Sequence, residues 1–165
     1  MQSAAEQRPN SPRRAVEGRC GRPGCICGLP IGERFVLWAV RQWQQDSALP
    51  RDGTALHAGF KTAGLLEALP DFAIALDAYL FGARRGLCIH LPACSFMSID
   101  EATLVALCAL AQGGHAQRLE GSLDRLVVPT AVQVAADHLT RFALALKCAG
   151  LSLAAARGEP GSRLN

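Results

Sequence analysis

Apolar residues recur at intervals of three and four along most of the chain, the spacing that places them on one face of an α-helix. The first such stretch, "IGERFVLWAVRQWQQ", predicts a helix over residues 31–45. Val36, Val40 and Trp43 form its apolar face, and Arg41 is predicted to face water. The pattern therefore places the start of a helical domain directly after Pro30.

Two further helices are predicted in the first half of the chain. One covers residues 54–68, where Thr54 suits the N-cap position and Pro70 ends the helix. The next covers residues 72–85 and is apolar nearly all round. Because a helix without a polar face has to be covered on all sides, we expect this one in the middle of a bundle.

The second half of the chain predicts helices with clearer start signals. In "SIDE", Ser98 and Glu101 have the spacing of a capping box, which opens a helix over 99–112. A short helix is predicted around 115–123, and a long one over 130–149. Together these elements predict an all-α fold, a single compact bundle of five or six helices.

The chain is predicted to form one domain with an extension at each end, since 165 residues is the size of a single domain. Residues 1–30 are rich in Pro, Gly and Arg and predict a flexible Cys/Arg-rich arm. Residues 31–151 form the helical domain, and 152–165 a tail. Within the domain, the 87–97 segment "LCIHLPACSFM" is apolar but not a continuous helix, because Pro92 interrupts it.

The net positive charge of the chain is confined to the arm. Residues 1–22 hold five arginines against two glutamates, whereas the rest of the chain holds 12 basic and 12 acidic residues. A neutral body argues against a nucleic-acid-binding protein, which normally has a basic face. No apolar leader or membrane-spanning run is present, and the longest apolar run is Leu104–Ala111. We therefore expect a cytoplasmic protein whose seven cysteines are reduced thiols or ligands.

Motifs of common enzyme classes are missing from the sequence. It has no GxSxG nucleophile elbow, no GxxxxGK[ST] phosphate loop, no strand followed by GxGxxG, and no HExxH zinc motif. The sequence also proposes no pocket with a nucleophile and a base. The absence of these motifs favours a non-enzymatic protein. An enzyme with an unrecognised pocket among the helices stays open as a further hypothesis.

Three cysteines in the arm are the strongest candidates for chemistry. Cys20, Cys25 and Cys27 lie within the Gly-rich stretch "GRCGRPGCICGLP". Zinc and iron–sulfur clusters usually take four sulfur or nitrogen ligands, so three thiolates leave such a site one ligand short. The Cys-x4-Cys-x-Cys spacing matches no standard metal motif. A redox pair and free thiols are therefore alternatives to a metal site.

A fourth ligand has to come from the body of the protein, because the arm contains no histidine. Cys94 is the predicted fourth ligand, since it follows Pro92 in the non-helical 87–97 segment. Cys88 and His90 are its rivals, because they point to the same side of an extended chain. Ordinary packing of these small side chains is the competing interpretation. Cys108 and Cys148 lie on apolar helix faces and are expected in the core.

Two function hypotheses follow. The leading one is a non-enzymatic cytoplasmic helical module that acts through protein contacts in regulation or accessory assembly. Its partner is another protein or a second copy in a homodimer, because a neutral, apolar, alanine-rich body favours burial of an exposed face. The alternative is a small zinc or iron–sulfur protein whose site is shared between the arm and the 87–97 segment.

Overall fold

The computed structural model describes residues 24–46 and 54–154, and these form six α-helices. The helices are α1 (Ile31–Gln45), α2 (Ala55–Thr62), α3 (Leu69–Gly82), α4 (Ile99–Gln112), α5 (Ala116–Leu126) and α6 (Pro129–Cys148). Two short 3₁₀ helices, Ile26–Gly28 and Leu66–Ala68, complete the described structure. Because these residues contain isolated β-bridges but no strand, the predicted all-α fold is confirmed.

Helix α6 is the centre of the bundle. It packs against α3, α4 and α5, most extensively against α3. Its buried face includes Ala135, Leu139, Phe142 and Leu146, which recur at intervals of three and four and therefore lie on one side of the helix. Although α6 is the longest of the helices described, none of them has the length and apolar character needed to span a membrane.

Aromatic rings connect this centre to the first half of the chain. The ring of Phe142 lies 5.1 Å from that of Phe72 and 6.1 Å from that of Phe60, measured between centroids. Trp43 meets Phe72 edge to face at 6.2 Å. Such pairs add about 0.5–1.5 kcal/mol each beyond the burial of apolar area. The cluster therefore joins α1, α2, α3 and α6 into one core.

The predicted boundaries of α1 and α4 are confirmed. Helix α4 begins with the expected capping box. The Ser98 hydroxyl accepts the Glu101 N–H at 3.0 Å, and the Glu101 carboxylate accepts the Ser98 N–H at 2.8 Å. Each bond satisfies a backbone donor that the first turn leaves without an intrahelical partner.

The helix predicted over 54–68 is wrong in its second half. Helix α2 begins after the N-cap Thr54 as predicted, but it ends at Thr62. Gly64 then takes a left-handed conformation with φ of 70°, and the Leu65 N–H donates to the Phe60 carbonyl at 2.8 Å. This 6→1 bond is the Schellman helix stop, which glycine permits because it lacks a Cβ. Apolar spacing alone did not reveal this stop.

The boundaries predicted for the next helix also need correction. Pro70 was expected to end a helix, but it lies in the first turn of α3, where its missing N–H has no intrahelical role. The helix ends at Gly82 rather than at residue 85, because Ala83 is extended and pairs with Val127 in an isolated β-bridge. Tertiary pairing therefore ends α3 one turn early.

Three predictions about burial are wrong. Arg41 was expected to face water but is only 2% exposed, and Cys148 was expected in the core but is exposed. Helix α3 is not covered on all sides, since Ile74 is 42% and Phe81 86% exposed. Cys108 does lie in the core, and its burial raises the pKa of the thiol to about 12.

Candidate functional site

The 87–97 segment crosses from α3 to α4 without regular secondary structure. Its backbone N–H and C=O groups have few partners within the segment, one being the Cys94 N–H, which donates to the Leu91 carbonyl at 3.0 Å. Backbone groups that are partly withdrawn from water need partners from elsewhere. They come from one arginine, Arg41, and from two carboxylates in the first turn of α4.

Arg41 of α1 is the central arginine of this arrangement. Its Nε and Nη2 atoms donate to the two carboxylate oxygens of Glu101 at 2.8 and 3.0 Å. Nη1 donates to the Cys94 carbonyl at 2.7 Å, and Nη2 also donates to the Phe96 carbonyl at 2.6 Å. The planar guanidinium thus joins a bidentate ion pair to two backbone carbonyls of the 87–97 segment.

Glu101 completes the buried pair from the side of α4, and its side chain is 0% exposed. It accepts backbone N–H groups of His90 at 2.9 Å and of Ser98 at 2.8 Å, in addition to the Arg41 bonds. Burial raises the pKa of this carboxyl, but Arg41 and the two N–H donors outweigh it, so the pKa lies below its usual range. The carboxylate is therefore ionised at neutral pH.

Asp100 holds the beginning of the same segment. It pairs with Arg85 through both carboxylate oxygens and accepts the Cys88 N–H at 2.8 Å. The Arg85 guanidinium and the Cys88 N–H hold the pKa of Asp100 below its usual range. The Ser98 hydroxyl adds a bond to the Cys88 carbonyl at 2.5 Å. The residues that cap α4 therefore also fix the 87–97 segment.

The first described residues of the chain lie along the other end of this segment. The Ile26 N–H donates to the Ser95 carbonyl at 3.1 Å, and the Met97 N–H donates to the Gly24 carbonyl at 2.8 Å. These bonds form an antiparallel bridge between Cys25 and Phe96. Residues 24–28 and the 87–97 segment, which are remote in sequence, are thereby joined backbone to backbone.

The structure brings part of the predicted metal-ligand set together. The Sγ atoms of Cys25 and Cys27 are 2.7 Å apart, and the bridge places Cys25 opposite Phe96, two residues after Cys94. Within residues 24–46 and 54–154, no group of three or more His, Cys, Asp or Glu side chains is arranged to hold a metal ion. Cys20 lies outside the described residues, so the four-cysteine site stays a prediction.

The two rival ligands have other surroundings. Cys88 is exposed. His90 has its Nδ1 atom 3.0 Å from the Phe96 carbonyl and 3.4 Å from the Glu101 carboxylate. The Nδ1 atom therefore already has partners in the Arg41–Glu101 network, and Nε2 is the nitrogen that could bind a metal ion.

Two apolar clefts border the 87–97 segment. The first, of ≈ 390 Å³, lies along α1 and is lined by Phe35, Trp38 and Arg41, with Pro92 contributed by the segment. The second, of ≈ 470 Å³, is lined by residues of α1, α3 and the start of the segment. The 87–97 segment thus separates two concave apolar surfaces.

Large apolar side chains are exposed on and near this segment. Leu91 is 71% exposed, Ile99 at the start of α4 is 83% exposed, and Phe96 is 40% exposed. Single exposed apolar residues are common on soluble proteins. Here they occur within the nine positions 91–99, most of which belong to a segment whose backbone is fixed by buried charges.

Sequence reasoning missed the role of Arg41. The capping box accounts for Glu101 from the sequence alone, and helical spacing predicts Arg41 on the polar face of α1, so neither residue indicated a buried ion pair. The one available signal was the irregular, apolar 87–97 segment, whose backbone needs hydrogen-bond partners from elsewhere in the fold. It did not identify Arg41 as such a partner.

Comparison of the chain with models of known protein families, with curated proteins and with solved structures finds no match.

Proposed function

We propose that this protein is a non-enzymatic cytoplasmic helical module that acts through protein contacts in regulation or accessory assembly. The 87–97 segment is its contact surface. The observation that carries the proposal is the buried Arg41–Glu101 pair, which forms hydrogen bonds to the backbone of the 87–97 segment at the surface. Arg41 donates to two carbonyls of the segment, and Glu101 accepts one of its N–H groups. The charges hold a surface feature in one conformation.

The energetics of buried ion pairs support this interpretation. Removing two charges from water is costly, and apolar residues in their place are often equally or more stabilising. The Arg41–Glu101 pair is therefore poorly explained by stability alone. A fixed conformation has a clear use in binding, because a preorganised surface loses less conformational entropy when a partner associates.

The exposed apolar side chains supply the contact area. Leu91 and Ile99 are the most exposed of those on and beside the segment, and the cores of protein interfaces are apolar. The neighbouring cleft along α1 offers a concave surface for a side chain of the partner. A rigid segment with protruding apolar residues beside a cleft suits recognition of a folded protein.

A photo-crosslinking amino acid in place of Leu91 tests this proposal in cells that produce the chain naturally. The matched control is the same substitution at Leu144, which is 59% exposed on α6. We expect one discrete crosslinked species from position 91 and none from position 144. Equal crosslinking at the two positions, or none at position 91, would contradict the proposal.

The mass of the crosslinked species identifies the partner class. A product of twice the chain mass means a homodimer, and sedimentation of the purified chain should then show a dimer that Leu91→Asp dissociates. Another mass means a different protein, whose purified complex should be weakened by Leu91→Asp and by Ile99→Asp. Melting curves of both variants should match the wild type, since these side chains are exposed.

A second candidate function is a small zinc or iron–sulfur protein with its site shared between Cys20, Cys25, Cys27 and Cys94. The observation that favours it is the backbone bridge that brings Cys25 to the 87–97 segment. The Cys27 sulfur lies 2.7 Å from the Cys25 sulfur. Thiolates near one another in a Gly-rich stretch suit a soft or borderline metal ion. Cys88 and His90 stay the rivals of Cys94.

Metal analysis of protein purified without oxygen tests this second candidate. We expect about one zinc ion per chain, or the visible absorbance of a cluster, and loss of that metal in Cys94→Ser. Cys148→Ser is the control, because this exposed thiol at the C-terminal end of α6 is not one of the predicted ligands and should not affect metal content. The shared site would be refuted by wild-type protein that contains no metal. It would also be refuted if Cys94→Ser and Cys20→Ser both kept the metal content of the wild type.

A further inference from the structure

The second cleft beside the 87–97 segment combines apolar walls with a single carboxylate. It lies between the end of α1, the second half of α3 and the start of the segment, with a volume of ≈ 470 Å³. Its walls are mainly apolar and aromatic, and they are formed by Trp43, Leu80, Phe81, Leu87 and Ile89. Asp77 and Gln44 are the polar residues that line it. Small-molecule sites commonly have this size and this composition.

Asp77 is the one charged residue among those that line the cleft. None of the ion pairs among the described residues includes it, in contrast to Asp100 and Glu101. Burial raises the pKa of its carboxyl, and a hydrogen bond from the Trp43 side chain opposes the shift. A partly desolvated carboxylate without a cation is electrostatically incomplete.

Helix α3 presents an exposed aromatic ring at the edge of the cleft. Phe81 is 86% exposed, and it follows Asp77 by four positions, so both lie on one face of the helix. Ile74 extends the same face and is 42% exposed. The sequence predicts that α3 is covered on all sides, and this is the face that is exposed instead. An exposed ring beside a carboxylate and the Trp43 indole offers both apolar contact and cation–π attraction.

We propose that this cleft binds a small apolar amine. The ammonium group pairs with the Asp77 carboxylate, the Gln44 side chain accepts a further N–H, and the apolar body lies against Trp43 and Phe81. A metal ion is a poor fit, because Ca²⁺ and Mg²⁺ take six or more oxygen ligands and one carboxylate cannot supply them. An anionic ligand would meet the Asp77 charge. The inference goes beyond the proposed protein contacts and uses different residues.

Three matched probes test the charge preference of the cleft. Phenethylamine, 2-phenylethanol and 3-phenylpropionate share a phenyl ring but carry a cation, a neutral group and an anion at pH 7. Each is titrated into the full, ¹⁵N-labelled chain, and the indole N–H signal of Trp43 is followed by NMR. Trp38 is the internal control, since it lines the first cleft instead. We expect the amine to shift the Trp43 signal and to bind about three- to tenfold more tightly than the alcohol.

Three variants separate charge from apolar contact. Asp77→Asn should reduce amine affinity to that of the alcohol, whereas Asp124→Asn, which removes an exposed carboxylate on α5, should leave it unchanged. Phe81→Ala should weaken binding of both the amine and the alcohol, and that of the amine by at least as large a factor, because the ring also offers cation–π attraction. Since Phe81 is exposed, this variant should fold as the wild type does.

Equal affinity for amine and alcohol in the wild type would overturn the proposal. So would a shift of Trp38 instead of Trp43, or unchanged amine binding in Asp77→Asn. Leu91→Asp should retain amine binding, and for this reason a failure of the protein-contact proposal and a failure of this one are distinguishable.

Discussion

The α6-centred core and the 87–97 segment are held in place by different forces. In the core, the rings of Phe60, Phe72 and Phe142 and the aliphatic face of α6 exclude water, and polar atoms take little part. In the segment, one buried arginine and two carboxylates form hydrogen bonds to backbone groups. Apolar packing tolerates many sequences of similar volume, whereas directional bonds select one backbone conformation. The core therefore supplies stability, and the polar network defines the shape of the surface.

Truncation within the core should have the largest effect on global stability. Phe142 is 0% exposed and contacts two other rings, so Phe142→Ala should lower the free energy of unfolding by about 3–5 kcal/mol. Urea unfolding followed by circular dichroism measures this loss. Leu144→Ala on the exposed face of the same helix is the control and should change stability by less than about 0.5 kcal/mol. Similar losses in the two variants would contradict the assignment of α6 to the centre.

Breaking the buried Arg41–Glu101 pair should lower the free energy of unfolding by an amount close to that for Phe142→Ala. Unlike the core truncation, this loss should be largely recovered by a second substitution. Arg41→Met leaves the Glu101 carboxylate buried without a cation, which typically costs about 3–5 kcal/mol. The double variant Arg41→Met/Glu101→Leu removes both charges and should recover much of this loss in urea unfolding.

The double variant should nonetheless lose the shape of the surface. The carbonyls of Cys94 and Phe96 and the N–H of His90 no longer have their partners. Limited proteolysis should therefore cut the 87–97 segment faster than in the wild type. Wild-type resistance to proteolysis in the double variant would mean that the ion pair does not fix the segment.

Acid should weaken the polar network selectively. Asp100 and Glu101 have lowered pKa values in the folded protein, so they bind fewer protons than in the unfolded chain. Their contribution to stability is full above the unfolded pKa values of about 4 and is lost as pH falls through the folded values. Urea unfolding between pH 7 and pH 3 should show this loss, and Glu101→Gln should flatten the profile. Asp124→Asn, which changes an exposed carboxylate, should leave the profile as it is in the wild type.

The smallest effect is expected at the two helix caps. Ser98→Ala should cost about 1 kcal/mol and Ser98→Gly less, because glycine tolerates the cap conformation. The Thr54 hydroxyl caps α2 by accepting the His57 N–H at 3.2 Å. Thr54→Ala removes this cap and should cost a similar amount of stability. Only the Ser98 variants should also loosen the 87–97 segment, since Ser98 donates to the Cys88 carbonyl. Identical proteolysis of Ser98→Ala and Thr54→Ala would show that this bond is unimportant.

Local sequence signals predicted the elements whose limits are set locally. The boundaries of α1 and α4, the capping box at Ser98 and the inward face of α6 all follow from helical spacing and from side chains within one turn. The physical reason is that a cap or an apolar face is encoded by residues three or four positions apart. The all-α class follows from the same short-range information.

Tertiary structure decided the features that depend on residues far apart in the chain. Arg41 is separated from Glu101 by 60 positions, and nothing near Arg41 distinguishes a buried guanidinium from a solvated one. The early end of α3 depends on pairing of Ala83 with Val127, and the bridge between Cys25 and Phe96 joins segments that the sequence treats as separate. Burial of a charge becomes favourable only when its partners converge in space, and that convergence is a property of the packed fold.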